Sequence, residues 1–118
     1  MAYKGSLYYN PAKAQVRKLI VNGVKEIVQN YDVDGIHMDD YFYPAFNSSN
    51  VNSAFDAKEY RASTMGKHKS SIVAFRRQQV NTLVKAIHSA VKATKPNVTF
   101  GISPAGNIDN LTSRYSYY

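Results

Sequence analysis

Apolar residues recur at three- and four-residue spacing in two long stretches of the chain. Residues at this spacing share one face of an α-helix, so the pattern predicts two amphipathic helices. In the first, Asn10 is predicted to cap the helix and Pro11 to take the first helical position, where its missing N–H costs nothing, and the helix is predicted to end near Asn30. The second is predicted over residues 71–95 and is stopped by Pro96.

Shorter stretches have the features of β-strands. Residues 34–40 are too short for a helix, residues 98–103 alternate apolar and polar side chains, and a first short strand is predicted to end within residues 7–9. The order strand, helix, strand, helix, strand implies parallel strands with crossover helices. We therefore predict one α/β domain over residues 1–118, a parallel β-α-β-α-β segment with a long loop over residues 41–69.

The composition narrows the class of protein further. The 118 residues suit one domain, the 44% apolar content argues against disorder, and the absence of cysteine excludes disulfides and thiol catalysis. The net charge of +7 would suit nucleic acid, but the basic residues are spread among apolar ones on both predicted helices, so no nucleic-acid partner is predicted. No apolar run reaches the ~18 residues of a membrane span, and the start of the chain lacks a signal-peptide pattern.

Side chains alternate in direction along a strand, so residues 34–40 divide into two sets. One set is apolar and suits a helix-covered side of the sheet, and its members are Ile36 and Met38. The other set is small or polar and is predicted to point inward, away from the helix-covered exterior, and its members are Gly35, His37 and Asp39. Asp39 thereby ends the strand at its C-terminal edge, which is where barrel enzymes place their catalytic groups.

Asp39 and Asp40 are the two candidate catalytic carboxylates. A carboxylate at this position can act as a nucleophile or stabilise an oxocarbenium-like transition state, with a second carboxyl group as the acid. Asp40 is the poorer candidate, because adjacent strand residues face opposite ways. The structural alternative is that either aspartate caps the following turn or pairs with Arg76 or Arg77.

A metal site is the other chemical alternative for this strand. His37 and Asp39 share one side, but His68 is predicted in a loop and His88 on a helix. Because an open catalytic site takes about three protein ligands, neither a metal nor another cofactor is predicted.

Aromatic and polar residues follow the two main strands. Aromatic faces commonly hold the apolar face of a sugar ring, so the rings after the second strand are candidate platforms, with core packing as the alternative. Polar groups after the last strand are candidates to bind substrate hydroxyls, with loop capping as the alternative. The predicted substrate-binding residues, besides His37, are Tyr41, Tyr43, Ser103 and Asn107.

At this point the sequence resembles a known family. Residues 30–44, NYDVDGIHMDDYFYP, resemble the signature of the glycosyl-hydrolase-like 10 family, found largely in exported bacterial proteins, and residues 9–11, 75–81 and 100–104 fit it as well. The resemblance implies a (β/α)₈ TIM barrel, of which this chain would supply about strands 3 to 5. It also implies distant kinship with α-amylase-like and α-galactosidase-like barrels, whose nucleophilic aspartate ends the fourth strand, as Asp39 does here.

The resemblance implies a function and its limits. In such barrels the acid/base partner comes from a later strand, so the chain alone is expected to be an inactive, incomplete barrel, and its unclosed sheet edges suit a homo-oligomer. The leading function is retaining cleavage of a bacterial cell-wall or extracellular polysaccharide, outside the cell or in its envelope. The alternatives are cleavage of peptidoglycan like that of a lytic transglycosylase, a non-catalytic carbohydrate-binding domain, and a basic domain that binds phosphate-rich surfaces.

Overall fold

A computed structural model describes residues 2–3, 5–39, 43, 55–104, 106 and 109 of the chain. Within these residues it contains both helices and strands. In chain order, the elements are β1 (Ala2–Tyr3), β2 (Ser6–Leu7), α1 (Ala14–Asn30), β3 (Gly35–Asp39), α2 (Ala57–Ala62), α3 (Thr64–Lys67), α4 (Ile72–Thr94) and β4 (Thr99–Ser103).

Strands β3 and β4 form an open, two-stranded parallel sheet. Parallel neighbours need a long connection, and α4 provides it, so β3, α4 and β4 make a β-α-β unit. The register places Gly35 opposite Thr99 and Asp39 opposite Ser103. The α/β class predicted from the alternation of elements is confirmed.

The two long helices cover one side of this sheet. Their buried residues form a core that also includes Val98, and the side chains of Ile36, Met38 and Phe100 pack against it. The apolar set of β3 therefore faces the helices, as the alternation predicted. The fully or nearly buried members of this core on the helices are Val28, Leu83, Ile87 and Val91. No helix in the described ranges is long and apolar enough to cross a membrane.

The first strand differs from the prediction. Strands β1 and β2 pair with each other in an antiparallel hairpin, and the sheet they form is separate from that of β3 and β4. Gly5 lies at the reversal with φ +80°, a left-handed conformation that glycine adopts without steric cost. The chain can therefore return on itself after a strand of two residues, and a parallel place for this strand was the wrong prediction.

The start of α1 also differs from the prediction. The Asn10 side chain does not cap the helix: its Oδ1 accepts a hydrogen bond from the backbone N–H of Ala12 at 2.9 Å, and its carbonyl accepts one from that of Lys13 at 3.0 Å. These bonds fold Asn10 and Pro11 into a turn, as asparagine commonly does, and the helix begins only at Ala14.

Part of the predicted loop over residues 41–69 is helical. Helices α2 and α3 meet at Ser63, whose Oγ accepts a hydrogen bond from the N–H of Gly66 at 3.0 Å. The ring of Tyr60 packs edge-on against Phe75, with centroids 5.5 Å apart, in a second core beneath α4. Helices of six and four residues show no periodic stripe. They depend on such tertiary packing, so the sequence pattern indicated at most a short turn over residues 55–62 and did not predict two helices.

A buried ion pair ties the turn before α2 to α4. Arg76 donates from Nε and from Nη2 to the two carboxylate oxygens of Asp56, both at 2.7 Å, and both side chains are 0% exposed. Such a bidentate contact between two desolvated groups fixes the orientation of the Arg76 and Asp56 side chains as well as the distance between them. No ion pair joins Arg76 to Asp39 among the described residues.

Candidate functional site

The face of the β3–β4 sheet opposite the helices is polar. The register aligns His37 with Gly101 and Asp39 with Ser103, so the two strands place small and polar residues side by side. Gly35, His37 and Asp39 are all exposed, in contrast to the partly buried Ile36 and Met38 between them. We call the set Gly35, His37, Asp39, Thr99, Gly101 and Ser103 the polar face.

His37 and Ser103 are in direct contact across the polar face. Nε2 of His37 lies 2.7 Å from Oγ of Ser103, and the donor is set by the imidazole tautomer. Both were predicted to bind substrate, and the structure brings them together. The contact fixes the imidazole near the C-terminal end of β3, whose last residue is Asp39.

Two glycines make room for this arrangement, and neither was among the predicted catalytic or substrate-binding residues. A Cβ on Gly101 would lie 3.2 Å from Nδ1 of His37, and a Cβ on Gly35 would lie 2.4 Å from Oγ1 of Thr99. Glycine inside a strand often marks a close approach, which is the signal that singles out Gly101. Its missing side chain leaves space for the His37 ring.

Replacing Gly101 by Ala is expected to displace the His37 ring and weaken its contact with Ser103. The expected loss is about 1 kcal/mol in the free energy of unfolding, the size of one hydrogen bond. Urea unfolding and the NMR cross-peaks between His37 and Ser103 measure both effects. Gly106→Ala is the matched control, because no atom of the residues that the structure describes lies within 4 Å of a Cβ at that position. Equal stability of the two variants with unchanged His37 signals would contradict the role of Gly101.

Asp39 is exposed at the end of β3, and no ion pair involves it within the described residues. Arg76 is bound to Asp56 instead. The predicted alternative of an ion pair between Asp39 and Arg76 therefore does not apply. No group of three or more histidine, aspartate or glutamate residues in the described part of the chain is arranged to hold a metal ion.

Three of the predicted site residues, Asp40, Tyr41 and Asn107, lie outside the described residues. Tyr43 is described, and its side chain is only 2% exposed. Its ring stacks on Phe55 at a centroid distance of 5.9 Å, and Cζ of Arg76 lies 6.0 Å from its centroid. This is the core packing that the sequence left as an alternative, and a sugar would have to displace those neighbours to reach the ring. The platform role of Tyr43 stays a prediction.

Burial, followed by the negative charge of Asp56, raises the pKa of Tyr43 well above its usual range. An unfolded tyrosine ionises near pH 10, whereas the folded one stays neutral. The free energy of unfolding should therefore fall as the pH rises above about 10, by up to ~1.4 kcal/mol per pH unit for this one proton. Below that pH the contribution is fully present. Urea unfolding across this range should show a shallower fall for Tyr43→Phe than for the wild type, and parallel curves would contradict the assignment.

Comparison with known proteins places this geometry in context. The family model described as "Glycosyl hydrolase-like 10" matches residues 2–118. "Glycosyl hydrolase YngK" of Bacillus subtilis (strain 168) is 42% identical over 106 residues, which cover 89% of this chain and 20% of that protein. "Glycosyl hydrolase DigH" of Escherichia coli (strain K12) is 36% identical over 97 residues, which cover 82% of this chain and 21% of that protein. The chain thus spans about one fifth of the length of these curated relatives.

Proposed function

The chain belongs to the glycosyl hydrolase-like 10 family, and on that premise we propose that it carries the nucleophile of a retaining glycoside hydrolase, Asp39. The resemblance first noted in residues 30–44 is confirmed by the family match and by the two relatives that are named glycosyl hydrolases. The identity of the catalytic residue and of the substrate is the proposal.

The observation that carries the proposal is the position of Asp39 on the polar face. Its carboxylate is exposed at the C-terminal end of a parallel strand, and its register partner is Ser103 on β4. Beside it, His37 is fixed by a 2.7 Å contact with Ser103. A carboxylate held there, with neighbouring groups that can bind hydroxyls, suits attack on a sugar bound over the strand ends.

We further propose that β3 and β4 are neighbouring strands of a (β/α)₈ barrel. In such a barrel the helices cover the outside and the polar strand ends face the substrate, which matches the one-sided packing of α1 and α4 on this sheet. Further strands cover the open edges, supplied by the same protein or by a second copy. One of them provides the acid/base carboxyl group.

The reaction proceeds in two displacements. The Asp39 carboxylate attacks the anomeric carbon while the acid protonates the leaving oxygen, so the glycosidic bond breaks and a glycosyl ester forms. The group that acted as the acid now acts as a base and takes a proton from water. The water oxygen attacks the anomeric carbon, which breaks the ester bond and releases the Asp39 carboxylate. The proposed substrate is a bacterial cell-wall or extracellular polysaccharide, with the protein located outside the cell or in its envelope.

The test needs a protein of the relatives' full length. Such a protein is obtained by replacing the 106 matched residues of the Bacillus subtilis relative with this chain. We call it the segment-exchanged protein. Incubation with peptidoglycan glycan strands and with other polysaccharides, followed by mass spectrometry, is expected to show products that have gained one water per cleavage. Anhydro-sugar ends would instead indicate cleavage like that of a lytic transglycosylase. Binding without any product would indicate a carbohydrate-binding domain and contradict the proposal.

A further inference from the structure

A pocket of about 290 Å³ lies between the residues that lead into α1 and the helix α2. The described part of its lining includes the aromatic residues Tyr8, Tyr9 and Phe55 and the acidic Glu59. None of these described lining residues belongs to the polar face, so the pocket is distinct from that face. Ligand pockets usually measure ~300–1,000 Å³, and a pocket at the lower end of that range suits a single ring.

Glu59 is the acidic group of this pocket, and its side chain is 18% exposed. Nδ2 of Asn10 donates to its Oε2 at 3.4 Å, and Nζ of Lys13 lies 4.0 Å from its Oε1. Both distances are long beside the ~2.7–3.2 Å of a good hydrogen bond, and a carboxylate offers about four lone-pair positions. The carboxylate can therefore accept hydrogen bonds from ligand hydroxyls without first losing a strong partner.

Residues outside the pocket contact the side chains that form its walls and hold them in place. Phe55 stacks on the buried Tyr43, and Cζ of Arg76 lies 6.0 Å from the Phe55 ring centroid. Arg76 is itself held by its two bonds to Asp56. On the other side Asn10, 5% exposed, is held by its bond from the Ala12 N–H. A pocket with such preformed walls loses little freedom when a ligand binds.

We propose that this pocket is a sugar-binding subsite, in which a pyranose ring packs on Tyr9 and its hydroxyls donate to Glu59. The ligand class rests on the proposed function, and the pocket supplies the two features that a pyranose needs, an aromatic platform for its C–H face and an acceptor for its hydroxyls. Aromatic rings and a carboxylate also suit a cation, but Lys13 and Lys58 in the lining repel one. The bound unit is therefore neutral or carries a single negative charge.

Titration of the full chain with a trisaccharide of β-1,4-linked N-acetylglucosamine tests this subsite. Tyrosine fluorescence and calorimetry report the Kd. Tyr9→Ala is expected to raise the Kd about tenfold through loss of the platform, and Glu59→Gln about as much through loss of a charged acceptor. Tyr31→Ala is the matched control for the first variant, since Tyr31 is 64% and Tyr9 67% exposed. Glu26→Gln, on the exposed side of α1, is the control for the second.

A wild type that does not bind the trisaccharide would overturn the subsite, and so would pocket variants whose Kd stays within about twofold of their controls. Competition by tetramethylammonium would also overturn it, in favour of a cation site. Asp39→Asn, made in the segment-exchanged protein, which carries this chain in place of the matched residues of the Bacillus subtilis relative, separates this inference from the proposed function. If that variant still cleaves polysaccharide while Tyr9→Ala weakens binding, the nucleophile assignment fails and the subsite stands. If it loses cleavage while Tyr9→Ala binds normally, the subsite fails alone.

Discussion

Replacing Arg76 by Met is expected to lower the free energy of unfolding by about 3–5 kcal/mol, a large share of the ~5–15 kcal/mol of a typical domain. The substitution removes the cation from a pair whose side chains are both 0% exposed. The Asp56 carboxylate then remains buried without its partner. Exposing it to water or protonating it at neutral pH would each cost free energy. Urea unfolding followed by circular dichroism measures the loss.

Arg77→Met is the matched control for this prediction. Arg77 is the next residue of α4 and is exposed, so the same chemical change there should alter stability by less than about 0.5 kcal/mol. Replacing both partners, as Asp56→Leu with Arg76→Met, removes the stranded charge and should cost less than the sum of the single changes. Equal stabilities of the Arg76 and Arg77 variants would show that the pair does not hold the turn before α2 to α4.

Asp39→Asn is expected to reduce cleavage by at least about a thousandfold, the scale on which the loss of a nucleophile acts. The amide keeps the shape of the side chain but cannot form a glycosyl ester. Substrate binding should be largely retained, because the loss falls on the chemical step. Cleavage rates of the segment-exchanged protein, measured under single-turnover conditions, separate the two effects.

The sequence was informative wherever a pattern repeats over several residues. The long apolar stripes predicted α1 and α4 to within a few residues, apart from the turn that Asn10 makes before α1. The two-residue period of β3 predicted which side chains face the helices, and that His37 and Asp39 lie on the other side of the sheet. These features depend on local periodicity, which a single sequence carries in full.

Other features depend on contacts between distant residues, and the sequence carried no sign of them. The partner of Arg76 lies 20 residues away at Asp56. Helices α2 and α3 are stabilised by the second core, not by a stripe of their own, and the hairpin of β1 and β2 rests on two residues per strand. The contact of His37 with Ser103 spans 66 residues and required the register of β3 with β4, which alternation alone does not fix.

The roles of the aromatic residues are difficult to assign from sequence. The sequence pattern left Tyr43 as either a platform or a core residue, and in the structure its ring is buried and stacks on Phe55. Tyr9, which precedes the turn into α1, is the ring that is exposed beside an acidic group. Exposure of a ring is decided by packing, so composition can indicate a sugar-binding protein without indicating which tyrosine meets the sugar.

The most direct measurement of the central claim compares two isosteric variants of the segment-exchanged protein, Asp39→Asn and Asp34→Asn. Asp34 is also exposed and directly precedes β3, so its variant controls for the loss of one negative charge near the strand. We predict that Asp34→Asn cleaves polysaccharide at about the wild-type rate, whereas Asp39→Asn is slower by at least about a thousandfold. Equal rates for the two variants would contradict Asp39 as the nucleophile.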